Sequence, residues 1–273
     1  MGPQSQGAPQ KQSISGVKNL IAVGSGKGGV GKTTVSVNLA ISLARQGFKT
    51  GLLDADVYGP NVPLMMGINE APRANGERII PLESYGVRLM SMGFLNPGDK
   101  ALVWRGPRLH GVMHQFLFGV EWGELDYLII DLPPGTGDVQ LSLIQTAAIT
   151  GAVVVTTPSE VSLEDARKAI DMFAQVRVPI LGIVENMSYF QHPDLKQPID
   201  LFGRGGGKRT AEAMQVTFLG ELALDPQIRI GGDTGRPVTS TGKGAAFEEI
   251  VRKVIARTDE VRAMKKATIT VEE

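Results

Sequence analysis

Cysteine is absent from all 273 residues. That absence excludes a disulfide framework and any metal site built on thiolates. An excess of charge is also missing, since 28 Lys and Arg balance 28 Asp and Glu. A chain with no net field has no general pull toward nucleic acid or an anionic membrane surface. No apolar run approaches the ~20 residues that cross a bilayer. The first twelve residues are rich in Gly, Pro and Gln and have no apolar core, so no secretory signal is expected and the default compartment is the cytoplasm. What is present, 42% hydrophobic and 21% charged residues, is the ordinary composition of a water-soluble globular chain.

Short apolar runs alternate with helical patterns. Strands are expected at residues 19–23, 49–54, 87–92, 127–131, 152–156, 180–184 and 216–219. Helices are expected at 33–46, closed by Gly47, and at 163–175, with Ser162 as its N-cap. Strands alternating with helices argue for βα units. The strand runs are continuously apolar, which fits a sheet covered on both faces. The expected fold class is therefore α/β, a mostly parallel doubly wound sheet. The expected organisation is a disordered tail over residues 1–16, one domain over 17–265 and a C-terminal tail over 266–273. Two Pro- and Gly-rich segments, 59–86 and 190–207, follow strand ends, where ligands collect in open α/β sheets.

The first strand runs into Gly26-Lys27-Gly28-Gly29-Val30-Gly31-Lys32-Thr33-Thr34 and then a helix. The glycines let successive N–H groups turn inward toward phosphate oxygens, and the helix N-terminus adds its positive dipole end. Lys32 is placed to reach the β- and γ-phosphates of ATP, and Thr33 to offer its hydroxyl to Mg²⁺. Asp54 and Asp56 share one side of the next strand end. One of them can hold a Mg²⁺-bound water while the other orients the attacking water. Asp131 ends the Ile-Ile-Asp strand and resembles a Walker B aspartate. A lone Asp at a strand end is ordinarily a turn or capping residue, and Asp138 fits that reading as well as a chemical one. Three such positions behind a complete phosphate loop favour catalysis.

Lys27 is not required by the general phosphate-loop motif. With it, Lys-Gly-Gly-Val-Gly-Lys-Thr resembles the deviant Walker A signature of the MinD/ParA/ArsA class. The resemblance implies a homodimer in which Lys27 crosses to the phosphates of the other subunit and neutralises charge in the transition state. It also assigns Asp56 to positioning the nucleophile and Asp54 to the Mg²⁺ site. Within that class, five segments resemble the Mrp/ApbC group: Asp54 to Pro60, Trp104 to Pro107, Asp131 to Asp138, Glu185 to Phe190, and Phe202 to Gly207. That group comprises dimeric ATPases that carry iron–sulfur clusters to apoproteins. The likeness covers residues 17–256. It implies that Asn186 meets the adenine edge and that Asp225 lies near the base, with Ala223 standing where the group usually has proline.

One departure from the group bears on its cargo. The group has Cys-Pro-x-Cys after its Ser-Tyr-Phe string, and those cysteines hold a cluster bridging the dimer. Here the segment reads Gln191-His192-Pro193-Asp194-Leu195, with His192 and Leu195 in the cysteine places. One histidine and one leucine per subunit do not supply four ligands, so no cluster is expected in the group's usual mode. The expected partners are a second copy and apoproteins or other iron–sulfur assembly proteins, without nucleic acid or membrane. The alternative readings are a MinD/ParA-like positioning ATPase or a nucleotide-dependent regulator. The first wants a basic tail or surface, which Val261 to Glu273 does not provide. The second is disfavoured by the intact Lys27, Lys32, Asp56 and Asp131. His110 and His114 share a helix face but read as partly buried packing residues. Gly205 to Gly207, followed by Lys208 and Arg209, reads equally as a second anion site or as a hinge before a helix.

Overall fold

Alternation of side chains along the apolar runs sorts them onto two layers. In the first strand, β1 (Val17–Gly24), Leu20 and Ala22 join one buried cluster while Ile21 and Val23 join the other. The structure, a computed structural model, describes residues 11–57, 59–95, 106–191 and 197–272. The segment 192–196, with His192 and Leu195, lies outside the described residues, as do Trp104 and Arg105.

From β1 the chain passes through the glycine-rich loop into α1 (Lys32–Arg45), which ends before Gly47 at φ 90°, a left-handed conformation natural to glycine. β2 (Thr50–Asp54) follows. The Pro- and Gly-rich segment behind it holds a short helix, α2 (Val62–Met65), and three short strands, β3 (Arg73–Asn75), β4 (Arg78–Ile80) and β5 (Leu82–Ser84). Next come β6 (Val87–Ser91), α3 (Gly106–Phe118), β7 (Leu125–Asp131) and α4 (Asp138–Thr146). β8 (Gly151–Thr156), α5 (Glu160–Gln175), β9 (Ile180–Glu185) and α6 (Gly206–Ala213) continue the alternation. The chain closes with β10 (Phe218–Glu221), α7 (Pro226–Asp233) and α8 (Ala245–Glu272).

The eight-stranded sheet has the order β10-β9-β8-β1-β7-β2-β6-β5, with β3 and β4 paired separately. Every pairing in the large sheet is parallel except that of the edge strand β5 with β6. α4 and α5 cover one face, and α1 and α8 the other. The expected doubly wound α/β sheet is what the chain forms. β1 connects across β7 to β2, and β7 connects back across β1 to β8. The ends of β1 and β7 therefore sit where connections leave in opposite directions, the place where such sheets open a crevice.

Several boundaries differ from expectation. α5 starts a turn early, at Glu160, with Ser159 as N-cap. Ser162 is instead buried inside the helix, where its hydroxyl accepts from Thr157 Oγ1 at 2.6 Å. β10 lies two residues later than expected. The stretch read as an N-terminal tail is docked from Lys11 onward: Gln12 N donates to Thr146 O and Ala148 N to Gln12 O, both at 2.9 Å, and Ile14 is buried. No break falls at residue 266, because Ala245 to Glu272 contains neither Gly nor Pro and stays one helix.

Candidate functional site

Register brings the acidic strand ends together. Val23 of β1 is level with Asp131 of β7, and Asp131 is level with Asp54 of β2. The phosphate loop springs from the end of β1 directly above them. Gly29 and Gly31 take left-handed φ of 81° and 82°. Among the described residues, no amide from Gly28 to Thr33 donates to a protein acceptor. Lys32 is 5% exposed, and its Nζ lies 2.8 Å from Asp131 Oδ1 without being aligned as a hydrogen bond. Thr33 Oγ1 donates to Asp131 Oδ2 at 2.7 Å. Ser36 Oγ donates to Asp131 Oδ1 at 2.6 Å and is fully buried. Sequence reasoning missed Ser36. Its signal is the spacing, one helical turn beyond Lys32 on the same face of α1.

Asp54 and Asp56 have separate situations. Asp54 is fully buried; its Oδ2 accepts from Ser91 Oγ at 2.8 Å and Val62 N at 3.3 Å, and its Oδ1 from Asp56 N at 3.1 Å. Burial, and next the charge of Asp131, push its carboxyl up to about 8, against the pull of the Ser91 hydrogen bond and Lys32. Asp54 therefore ties together the strand ends and the start of α2. Asp56 reaches the cleft wall, where its Oδ1 accepts from Gly59 N at 3.3 Å.

A cleft of about 730 Å³ opens over the loop and collects Lys27, Lys32, Thr33, Asp56, Asn186 and Asp225. Asn186 also braces the loop: its Nδ2 donates to Val30 O at 2.9 Å, and a Cβ on Gly31 would lie 2.1 Å from that nitrogen. Only glycine fits there. Asp225 is the N-cap of α7, accepting from Gln227 N at 2.7 Å, with Pro226 at the first helical position.

Two sequence expectations are corrected. The glycines at the start of α6 do not leave an anion site open, because the protein fills it. The buried Glu185 at the end of β9 accepts from Gly205 N at 2.9 Å, from Gly207 N and from Ser188 Oγ. A carboxylate at a helix N-terminus satisfies its amides and its dipole together. Arg204 beside it pairs with Glu221 and lies 4.4 Å over the Tyr189 ring. His110 and His114 are exposed rather than partly buried. His110 Nδ1 is 2.5 Å from Ser142 Oγ, and the His114 ring rests against Phe118. Among the described residues no group of three His, Cys, Asp or Glu is placed to hold a metal.

A parallel sheet with a glycine-rich phosphate cradle at the end of its first strand, a buried lysine and a strand-end aspartate define a P-loop nucleotide-binding protein. Residues 16–258 match the model of the NUBPL iron-transfer P-loop NTPase. The chain belongs to that family. It is 54% identical over 253 residues to the iron-sulfur cluster carrier protein of Deinococcus radiodurans, covering 92% of this chain and 71% of that protein. Among solved structures it is similar to a nucleotide-binding protein of Archaeoglobus fulgidus in complex with ADP. That likeness has 40% identity and a TM-score of 0.76, over 85% of this chain and 91% of the other. MinD of Pyrococcus horikoshii, at 24% identity and TM-score 0.66 over 86% of this chain and 95% of that one, shares the fold.

Proposed function

We propose that the protein is a Mg²⁺-dependent ATPase of the iron–sulfur carrier and assembly type, working as a homodimer and holding no cysteine-ligated cluster of its own. The observation that carries the reading is the set of unsatisfied donors at the loop. The amides of Gly28 to Thr33 have no protein acceptor, and the buried Nζ of Lys32 beside them has only the ion pair with Asp131, without an aligned hydrogen bond. Backbone donors left open to the cleft beside a buried ammonium suit phosphate oxygens, which supply acceptors of the right charge. The named relatives support the nucleotide and the iron–sulfur setting. Among the described residues no helix is long and apolar enough to cross a membrane.

In this reading the loop and Lys32 hold the β- and γ-phosphates, and Asn186 and Asp225 border the base. Thr33, Asp54 and Asp131 are the residues for Mg²⁺: Thr33 and Asp131 already share a hydrogen bond, and Asp54 stands at the neighbouring strand end. The ion neutralises phosphate charge when bound. Asp56 orients a water toward the γ-phosphorus. The bond from water oxygen to phosphorus forms, the bond to the bridging oxygen breaks, and ADP and phosphate leave. Lys27 from the second copy neutralises the charge that develops on that bridging oxygen. Client apoproteins or other assembly proteins are the partners, and the cytoplasm is the compartment.

The test is ATP binding and turnover in two lysine variants. Lys32→Ala loses ATP binding. Lys27→Ala binds ATP but loses most of its turnover. Wild-type turnover in Lys27→Ala removes the lysine from its role across the dimer, and undiminished ATP binding in Lys32→Ala removes the cradle reading itself.

A further inference from the structure

Tyr85 occupies a place that backbone geometry ordinarily gives to other residues. Strands β5 and β6 are joined by the turn Tyr85-Gly86, with Ser84 paired to Val87. Both turn residues have positive φ, 52° and 74°. Hairpin turns of this kind favour Asn-Gly or Gly-Gly, because a bulky side chain is disfavoured in the left-handed region. Tyr85 is 40% exposed, so core packing does not call for an aromatic ring there. Its hydroxyl supplies a reason. It donates to Gly235 O, 150 positions along the chain, at 2.6 Å. A strained residue that aims one polar group at a fixed acceptor points to a task.

Gly235 follows α7, and Gly67 follows α2. The two glycines meet backbone to backbone, both with left-handed φ, 66° and 67°. A Cβ on Gly235 would lie 2.5 Å from Gly67 Cα, and one on Gly67 would lie 3.0 Å from Gly235 O. No side chain fits between the two helix ends. Ser84, the neighbour of Tyr85, donates its Oγ to Met66 O at 2.8 Å. One hairpin tip thus holds the ends of both helices. Those helices form one wall of the cleft, with Leu64 and Met65 from α2 and Ile228, Arg229 and Gly232 from α7, beside the N-cap Asp225. Neither hydrogen bond of the hairpin tip reaches the phosphate loop.

We infer that Tyr85 is a positioning residue for the nucleoside half of the ligand: its hydroxyl clamps α7 against α2 and so fixes the cleft wall that starts at Asp225. This rests on the ATP reading above, in which Asp225 borders the base while the loop and Lys32 hold the phosphates. The wall meets the same nucleoside in ADP and in ATP. The clamp therefore acts on both nucleotides alike and leaves the phosphate cradle untouched.

The experiment measures affinities for Mg²⁺-ADP, for a non-hydrolysable Mg²⁺-ATP analogue and for Mg²⁺-tripolyphosphate, which carries phosphates without a nucleoside. Two variants are compared with the parent. Tyr85→Phe keeps the ring and loses the hydroxyl. Tyr85→Asn suits the left-handed turn and is too short to reach Gly235. Both are expected to bind the two nucleotides about fivefold more weakly and to keep the parent's tripolyphosphate affinity. A merely structural role moves all three affinities together or none of them, and either result overturns the inference. So does parental nucleotide affinity in Tyr85→Asn. Should tripolyphosphate bind the parent too weakly to measure, steady-state turnover decides: an ATP KM raised about fivefold at unchanged kcat supports the clamp, and a lowered kcat overturns it. A parent that binds neither nucleotide instead sinks the ATP reading, and the inference with it.

Discussion

Asp54 shows how one buried side chain sets a property of the whole protein. Its carboxyl is raised to about 8 from an ordinary 3.8, first by burial and then by Asp131. The folded state therefore holds a proton that the unfolded chain releases near pH 4. Stability linked to this group is fully present below about pH 4 and is lost as pH rises through about 8. In nucleotide-free, Mg²⁺-free protein the melting temperature should fall between about pH 5 and pH 8 from this cause. Asp126 works in the opposite sense. Hydrogen bonds from Lys18 and from the Lys49 amide hold its pKa below the usual value, so its effect falls outside that window. Asp54→Asn cannot accept at both ends from Ser91, Val62 and Asp56, so the variant should be less stable at about pH 5, and its slope should flatten so that the difference shrinks toward about pH 8. Melting curves of the two proteins across the window check this, and equal slopes would remove Asp54 as the source.

At the scale of elements, the docking of α6 depends on one residue of β9. Glu185 is fully buried and accepts from two backbone amides at the start of α6 and from Ser188. Glu185→Gln keeps the shape but turns one acceptor into a donor facing an N–H. The loss should be about 2 kcal/mol, the cost of stranding one buried donor, read as a lower midpoint in urea unfolding with an unchanged slope. A midpoint within error of the parent would mean that α6 is held by packing alone, through contacts such as Gly206 against Leu163. Glu185 also shows what the sequence hides. The phosphate loop was legible because glycine spacing, the lysine and the strand-loop-helix context are all local. So were the strands: runs such as Leu128 to Ile130 are apolar because both sheet faces are covered. The partner of Gly205 to Gly207 was not legible. It lies about twenty positions upstream on another element, and a glycine-rich helix start reads the same whether the protein or a ligand fills it. The docking of Lys11 to Ile14 was hidden for the same reason, since its partners, Thr146 O as acceptor and Ala148 N as donor, lie at the end of α4 and in the turn before β8. Ser36 stood in plain view, but its meaning required knowing that α1 crosses the end of β7.

For the molecule as a whole, an intact phosphate loop stands in a chain without cysteine. Every donor of the phosphate cradle and every strand-end carboxylate is in place, and the chain is still more than half identical to an iron-sulfur cluster carrier protein. Yet no thiolate exists anywhere in the 273 residues. Clusters held by proteins rest on thiolate ligands, with histidine substituting for some of them. The three histidines of the chain include His110 and His114, engaged on the exposed face of α3 with Ser142 and Phe118. Neither one copy nor, in the proposed homodimer, two supply thiolate ligands for a cluster. Anaerobic reconstitution with iron and sulfide, read by absorbance and iron content with and without ATP, should leave the purified protein without stoichiometric iron while ATP binding persists. That outcome places the chain as a nucleotide-driven partner to cluster handling rather than a vessel for the cluster. A stoichiometric cluster on the cysteine-free protein would contradict this and point to ligands supplied by small thiols or by side chains other than cysteine.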